Sequence, residues 1–181
     1  MRRPATETKA LILAAARERF ATDGYEKATI RGIAADAGID PAMVMRYFGN
    51  KEALFGAAAE FDLELPDLTG VSTDQLGVAL ATHFVQRWER DDALLLLLRV
   101  GVTNEAVAER MRTIFAAQLG PVVAKATGGA PDTPVRAGLA ASQVLGMALC
   151  RYVLEFPPLA GMSGQQIVDW IGPTLQRYLT G

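Results

Sequence analysis

The stretch from Thr29 to Phe48, TIRGIAADAGIDPAMVMRYF, most constrains what this chain can become. Thr29 is an N-cap candidate, because its hydroxyl can accept from a free backbone N–H of the following turn. Ile30, Ile33, Ala34 and Ala37 recur at helical spacing and make one apolar face. Gly38 stops that helix, since glycine enters the left-handed conformation without steric cost. Asp40 caps a second helix whose first position is Pro41, where a missing N–H costs nothing. Val44 and Phe48 are expected to face inward. Pro41, Ala42, Met43, Arg46 and Tyr47 are left largely facing out. The stretch therefore predicts helix, tight turn, helix, with the small Ala34 allowing close approach. That is the arrangement of a helix-turn-helix that sets its second helix in the major groove of DNA.

The flanking residues extend the pattern. Ile12, Ala16 and Phe20 lie at i, i+4 and i+8 on a preceding helix, expected from about Glu7 to Thr22 and ended by Asp23-Gly24. After Gly49, Asn50 caps a fourth helix with Glu52 in its first turn. Lys51 is out of place there, because a cation at a helix N-terminus is locally unfavourable. A phosphate at that point reverses the cost, which makes Lys51 a phosphate-clamp candidate. The alternative is an ordinary surface lysine.

Residues 8–55 resemble the DNA-binding domain of the tetracycline-repressor (TetR) family of transcriptional regulators. The resemblance rests on Ala15 and Phe20, the Gly24-Tyr25 turn, Thr29, Ile33-Ala34, Ala37-Gly38, Tyr47-Phe48 and Lys51-Glu52-Ala53-Leu54. It implies a homodimer that binds double-stranded operator DNA and releases it when a small molecule binds the C-terminal domain. Repression is the mode the family implies. Met43 and Met45 depart from the family's usual threonine and aromatic residue in the reading helix. Methionine touches a thymine methyl but donates no hydrogen bond to phosphate, so the operator does not carry over from relatives. Contacts to DNA are expected from Thr29, Arg31, Asp40, Pro41, Ala42, Met43, Arg46, Tyr47 and Lys51. Arg46 is the candidate for reading a guanine, Thr29, Tyr47 and Lys51 for phosphates.

Charge agrees with that division. Residues 1–55 hold nine Lys and Arg against seven Asp and Glu, whereas 56–181 hold nine against thirteen, so the basic excess sits in the proposed DNA domain. Arg2 and Arg3 lie in a short arm that either adds DNA contacts or is simply solvated. The longest apolar run, Ala93 to Leu98, is far too short to span a membrane. The basic start is followed by Lys9, Arg17 and Glu18 rather than an apolar leader segment, so a cytoplasmic protein is expected. One Cys and one His exclude a disulfide framework and a Cys/His zinc site. Neither a catalytic constellation nor a cofactor loop is present in the sequence, and an enzyme is not expected.

The fold class expected is all-α, with about nine helices. A three-helix reading domain (1–55, helix-turn-helix 29–48) is joined by the fourth helix to a helical ligand-binding and dimerisation domain (56–181). Leu65 to Ser72, rich in Pro, Gly and Ser/Thr, marks the change in packing. Later helices are expected with caps at Ser72 or Thr73, Asp91-Asp92 and Thr103-Asn104, with Pro121 breaking or kinking one of them. The eighth runs from Asp132 to about Phe156, where Pro157-Pro158 stop it. The ninth opens on the capping box Ser163-x-x-Gln166 and is kinked at Gly172-Pro173. Gly138, Ser142 and Gly146 form a small-residue ridge on the eighth. With Val153, Ile167, Trp170, Ile171, Leu175 and Tyr178 they are the expected dimer interface. The alternative is that these two helices merely close the protomer's core. A largely apolar effector would be met by Phe84, Trp88, Met111, Phe115, Met147 and Cys150, with Arg99, Gln143 and Arg151 as polar anchors. His83 reads as a half-buried polar residue rather than a ligand contact. Two other functional readings stay open in the sequence: a DNA-binding regulator without an inducer, and a helical adaptor.

Overall fold

In the computed structural model the helical pattern becomes ten α-helices among the described residues. The structure describes residues 4–60, 62–90, 92–101 and 105–181. The helices are α1 (Ala5–Lys27), α2 (Ile30–Ala37), α3 (Pro41–Phe48), α4 (Lys51–Ala58), α5 (Leu76–Trp88), α6 (Asp92–Gly101), α7 (Glu105–Ala126), α8 (Thr133–Ala148), α9 (Pro157–Ala160) and α10 (Gly164–Thr180). A π turn, Leu149–Val153, continues α8. The described residues contain no strand, and no described helix is long and apolar enough to cross a membrane. The chain divides into two compact units. The first holds α1–α4 and α6; the second holds residues 62–91 with α5 and everything from Glu105 onward.

In the first unit Ile12, Ala16 and Phe20 of α1 are fully buried, as are Ile33, Ala34, Val44 and Leu54. Phe20 and Tyr25 both meet Phe55 edge-on, at ring distances of 5.0 and 5.1 Å. This aromatic group joins α1 to α4. Gly24 interrupts α1 with φ 75°, and one further turn follows to Lys27. Arg19 grips Asp36 of α2 with two bonds of 2.7 Å and reaches Asp23 at 3.0 Å. The paired guanidinium holds the Asp36 carboxyl below the usual carboxylate range. The apolar run Leu94–Leu98 lies on α6, which packs on α1; Leu94, Leu96 and Leu97 are buried.

α4 is short. It ends at Ala58, and the chain from Asp62 to Pro66 is not helical. Asp62 turns the backbone by accepting from the Glu64 N–H at 2.8 Å, and Pro66 disfavours helix at the residue before it. Leu63 is fully buried in the second unit. Its N–H donates to Gln118 Oε1 (2.6 Å) and its carbonyl meets His83 Nε2 (2.7 Å).

The second unit is organised by the crossing of α5 and α10. Leu80, Phe84 and Trp88 from one helix and Ile167, Leu175 and Leu179 from the other are all at most 2% exposed. At the crossing the backbones nearly touch: a Cβ placed on Gly77 would lie 2.3 Å from the Gly172 carbonyl oxygen and 2.4 Å from Gln176 N. Gln176 clips the start of α5, accepting from Gly77 N–H and donating to the Thr73 carbonyl, both at 2.7 Å.

Several expectations change here. α7 and α10 run through Pro121 and Pro173 without ending, so each proline forgoes one hydrogen bond inside a continuing helix. The eighth helix leaves α geometry at Leu149, where Leu154 N–H reaches back five residues to the Leu149 carbonyl at 2.8 Å. Pro157-Pro158 open the short α9 besides following that stop, since proline suits a first helical turn. The expected caps at Asp91 and Thr103-Asn104, together with Arg2 and Arg3, lie outside the described residues.

Candidate nucleic-acid interface

The reading head is built by local capping. Thr29 is extended and its Oγ1 accepts from Gly32 N–H at 3.1 Å. Gly38 sits in the left-handed region (φ 64°, ψ 35°), and Ile39 N–H returns to the Ala34 carbonyl at 2.9 Å. That six-to-one closure is the Schellman ending, which turns the chain sharply into α3. Asp40 Oδ1 accepts from Ala42 N–H at 2.7 Å, with Pro41 in the first turn. The carboxylate of Asp40 is thus engaged in shaping the helix. Asn50 caps α4 through Ala53 N–H at 2.7 Å.

These caps leave one face of α3 open. Asp40, Pro41, Ala42, Met45 and Arg46 are exposed, while Met43, Tyr47 and Phe48 are half-buried. Thr29 and Arg31 are exposed at the start of α2. Two cations approach the Tyr47 ring: Arg46 Cζ at 5.2 Å and Lys9 Nζ at 5.6 Å from its centroid. Lys9, on α1, was not among the residues expected to meet DNA. Sequence spacing holds no sign of it, because its place beside Tyr47 depends on how α1 packs under the head. Pro41, Ala42 and Met43 offer bases apolar contact alone; Arg46 offers a fork of donors.

Lys51 takes a more specific position than a free surface lysine. Its Nζ donates to the Glu26 carbonyl at 3.1 Å and lies 4.4 Å from the Tyr25 ring centroid. The carbonyl belongs to the last turn of α1, where a cation is favourable. An ammonium has three donors, so this bond leaves donors for an anion while fixing the side chain.

The other expected residues fall as follows. Phe84 and Trp88 on α5, Phe115 on α7 and Met147 on α8 are buried; Met111, Gln143, Cys150 and Arg151 are half-buried. All eight belong to the second unit, whereas Arg99 lies exposed on α6 of the first. His83 is half-buried, and burial lowers its pKa against the opposing effect of the Leu63 carbonyl. The second unit also has a cavity of about 530 Å³ between residues 65–76 and the end of α7, lined by Leu65, Leu68, Val71, Leu76, Pro121 and Val122. None of the expected effector residues lines it.

On α8, Gly138 and Gly146 face open space, for an added Cβ would meet nothing within 4 Å. Ser142 is exposed, with its hydroxyl donating to the Leu139 carbonyl at 2.8 Å. Val135, Leu139 and Trp170 are exposed, Trp170 to 74%. Val153, Ile171 and Tyr178 are half-buried. Ile167 and Leu175 are instead buried inside the protomer, on the side of α10 that packs on α5. An open groove of about 740 Å³ runs between α8 and α10, past Val135, Leu139, Pro173 and Tyr178.

Two family models match this chain: the "Bacterial regulatory proteins, tetR family" model over residues 12–58, and the "Tetracyclin repressor-like, C-terminal domain" model over residues 74–179. The second covers more than half of the chain. Similar solved structures include a TetR-family regulator from Streptomyces coelicolor A3, 27% identical over 100% of this chain and 99% of that one, with a TM-score of 0.63. A TetR-like transcriptional regulator from Rhodococcus sp. RHA1 is 19% identical over 97% of both chains, with a TM-score of 0.75. GusR from Salmonella enterica is 21% identical over 98% of this chain and 97% of its own, with a TM-score of 0.74. No curated protein matches the sequence.

Proposed function

The chain belongs to the tetracycline-repressor family of transcriptional regulators, and on that premise we propose that it is a homodimeric, sequence-specific repressor released from its operator by a small, largely apolar effector. The observation that carries this reading is the open face of α3, capped at both ends and set beside Lys9, Arg46 and Tyr47. In this reading α3 enters the major groove. Arg46 reads a guanine edge, and the Thr29 and Tyr47 hydroxyls and Lys51 fix the register on phosphates. Arg31 joins them from the start of α2.

One head buries little DNA. Two heads related by a two-fold axis match half-sites about 34–36 Å apart, or a related groove spacing. The dimer is assigned to α8 and α10, the eighth and ninth helices expected from sequence. Gly138, Ser142, Gly146, Val153, Trp170, Ile171 and Tyr178 supply its surface, an assignment supported by the open placement of Gly138, Ser142, Gly146 and Trp170 and by the exposed Val135 and Leu139. Effector binding among Phe84, Trp88, Phe115, Met147 and Cys150 would favour a head spacing that no longer fits the grooves.

The test is a titration of the protein onto its own promoter DNA at two salt concentrations, beside a Lys51→Ala, Tyr47→Phe double variant and Arg46→Gln. The double variant should bind more weakly on every sequence, and its salt slope should be shallower by roughly one for each phosphate it no longer neutralises. Arg46→Gln should instead flatten discrimination among operator variants, by about 1–3 kcal/mol at one base pair. Failure to enrich any sequence from a random pool would refute the DNA-binding reading.

A further inference from the structure

Trp88 closes α5 and is 2% exposed. Its indole Nε1–H is buried without an acceptor among the described residues. The same holds for the Tyr152 hydroxyl and for Nε–H of Arg151, both on the π turn. The three side chains are neighbours through Tyr152. The Tyr152 and Trp88 rings lie 6.4 Å apart at 19°, and Arg151 Cζ is 5.2 Å from the Tyr152 ring centroid. Arg151 Nη1 donates to the Leu159 carbonyl, which holds the guanidinium beside the rings.

Indole and guanidinium nitrogens only donate. The phenol stays a donor as well, since burial pushes its pKa up against the pull of Arg151. Glu89, whose charge adds to that rise, accepts from none of the three donors. Buried donors left unpaired forfeit their hydration, and native proteins rarely keep several side by side without something to bind. The π turn points the same way, because such turns within helices recur at functional sites.

We propose that this donor cluster is the polar end of the effector site and that the effector is an apolar carboxylate. Its two oxygens accept from Arg151, Tyr152 and Trp88. Its apolar body lies along Phe84 and Met147, each one helical turn before Trp88 or Arg151 and each buried. A phosphate fits less well, because it brings nearly two negative charges to one guanidinium with Glu89 nearby. The inference rests on the effector reading above and specifies its chemistry.

The experiment uses the whole protein with straight-chain and aromatic carboxylic acids and their matching alcohols, octanoate with 1-octanol and benzoate with benzyl alcohol among them. Binding is read by calorimetry and by tryptophan emission. At least one acid should bind saturably, about ten-fold or more tightly than its alcohol, and change an emission component that Trp88→Phe removes. Arg151→Gln and Tyr152→Phe should each weaken the acid about ten-fold and leave the alcohol unchanged, with thermal melts showing both variants folded. Equal affinity for acid and alcohol would mean that water satisfies these donors, and would overturn the proposal. So would failure of every acid to bind. Acid binding that leaves operator DNA bound would keep the carboxylate site and overturn its role in release. Loss of DNA binding by the unliganded protein would be seen separately, before any acid is added.

Discussion

Replacing Gly77 by alanine is the sharpest test of how the second unit is built. Elsewhere in a helix the exchange is favourable, by about 1 kcal/mol in propensity. At Gly77 the new methyl would stand 2.3, 2.4 and 2.7 Å from three backbone atoms of α10, against the 3.4–4 Å of ordinary contact. None of the three is the end of a flexible side chain, so α5 and α10 must part by about 1 Å. That movement loosens Leu80, Phe84 and Leu175 at the crossing and pulls Gly77 N–H from Gln176 Oε1. Overpacking of this kind costs about 1–3 kcal/mol, and the weakened hydrogen bond adds about 0.5–1.5 kcal/mol. After the propensity gain, a net loss of roughly 1–3 kcal/mol remains, or about 2–12 °C in melting temperature for a chain of this size. The assay is thermal and urea unfolding at fixed protein concentration, because dimer formation makes stability depend on concentration. Gly120→Ala is the control: it is helical, and its Cβ meets nothing within 4 Å. It should gain up to about 1 kcal/mol. If Gly77→Ala melts with Gly120→Ala, at or above the parent, the close crossing is not what holds the unit together.

Two further outcomes follow. Gly146→Leu fills open space on the protomer, so it should leave the protomer folded while shifting sedimentation from dimer to monomer and weakening operator binding. Asp36→Asn removes the carboxylate that Arg19 holds. Because the folded-state pKa of Asp36 is depressed, its contribution is present above the unfolded value of about 3.9 and is lost as pH falls through the lower folded value. An acid titration of unfolding should therefore flatten in the variant below about pH 4, and an unchanged acid limb would refute that assignment.

The reading head was legible because its geometry is written in capping chemistry within four residues of each turn. Thr29, Gly38, Asp40 and Asn50 all act where their residue types place them. Side chains that act across the fold were not legible. Lys9 reaches Tyr47, Lys51 reaches Glu26 and Arg19 reaches Asp36 only once α1 is packed against the head. In the second unit, helical spacing marked Ile167 and Leu175 as apolar but not which partner they meet, and α5 takes them. Pro121 reads in the sequence as breaking or kinking its helix, and the helix does not break there; Pro173, which reads as a kink, likewise lies inside a continuing helix. The π turn has no signal in composition at all; it is visible only as a hydrogen bond five residues long.

The Gln176 clip also sets an order of events during synthesis. The amide that fixes the start of α5 comes from 99 positions further along the chain. Until residue 176 has left the ribosome, α5 lacks the helix that covers most of its apolar stripe. The first unit, complete by residue 104, can collapse much earlier. Closure over so long a loop is slow compared with helix formation. The nascent protein therefore carries a finished reading head while the apolar side of α5 is still uncovered, and that interval is when a chaperone would have most to hold.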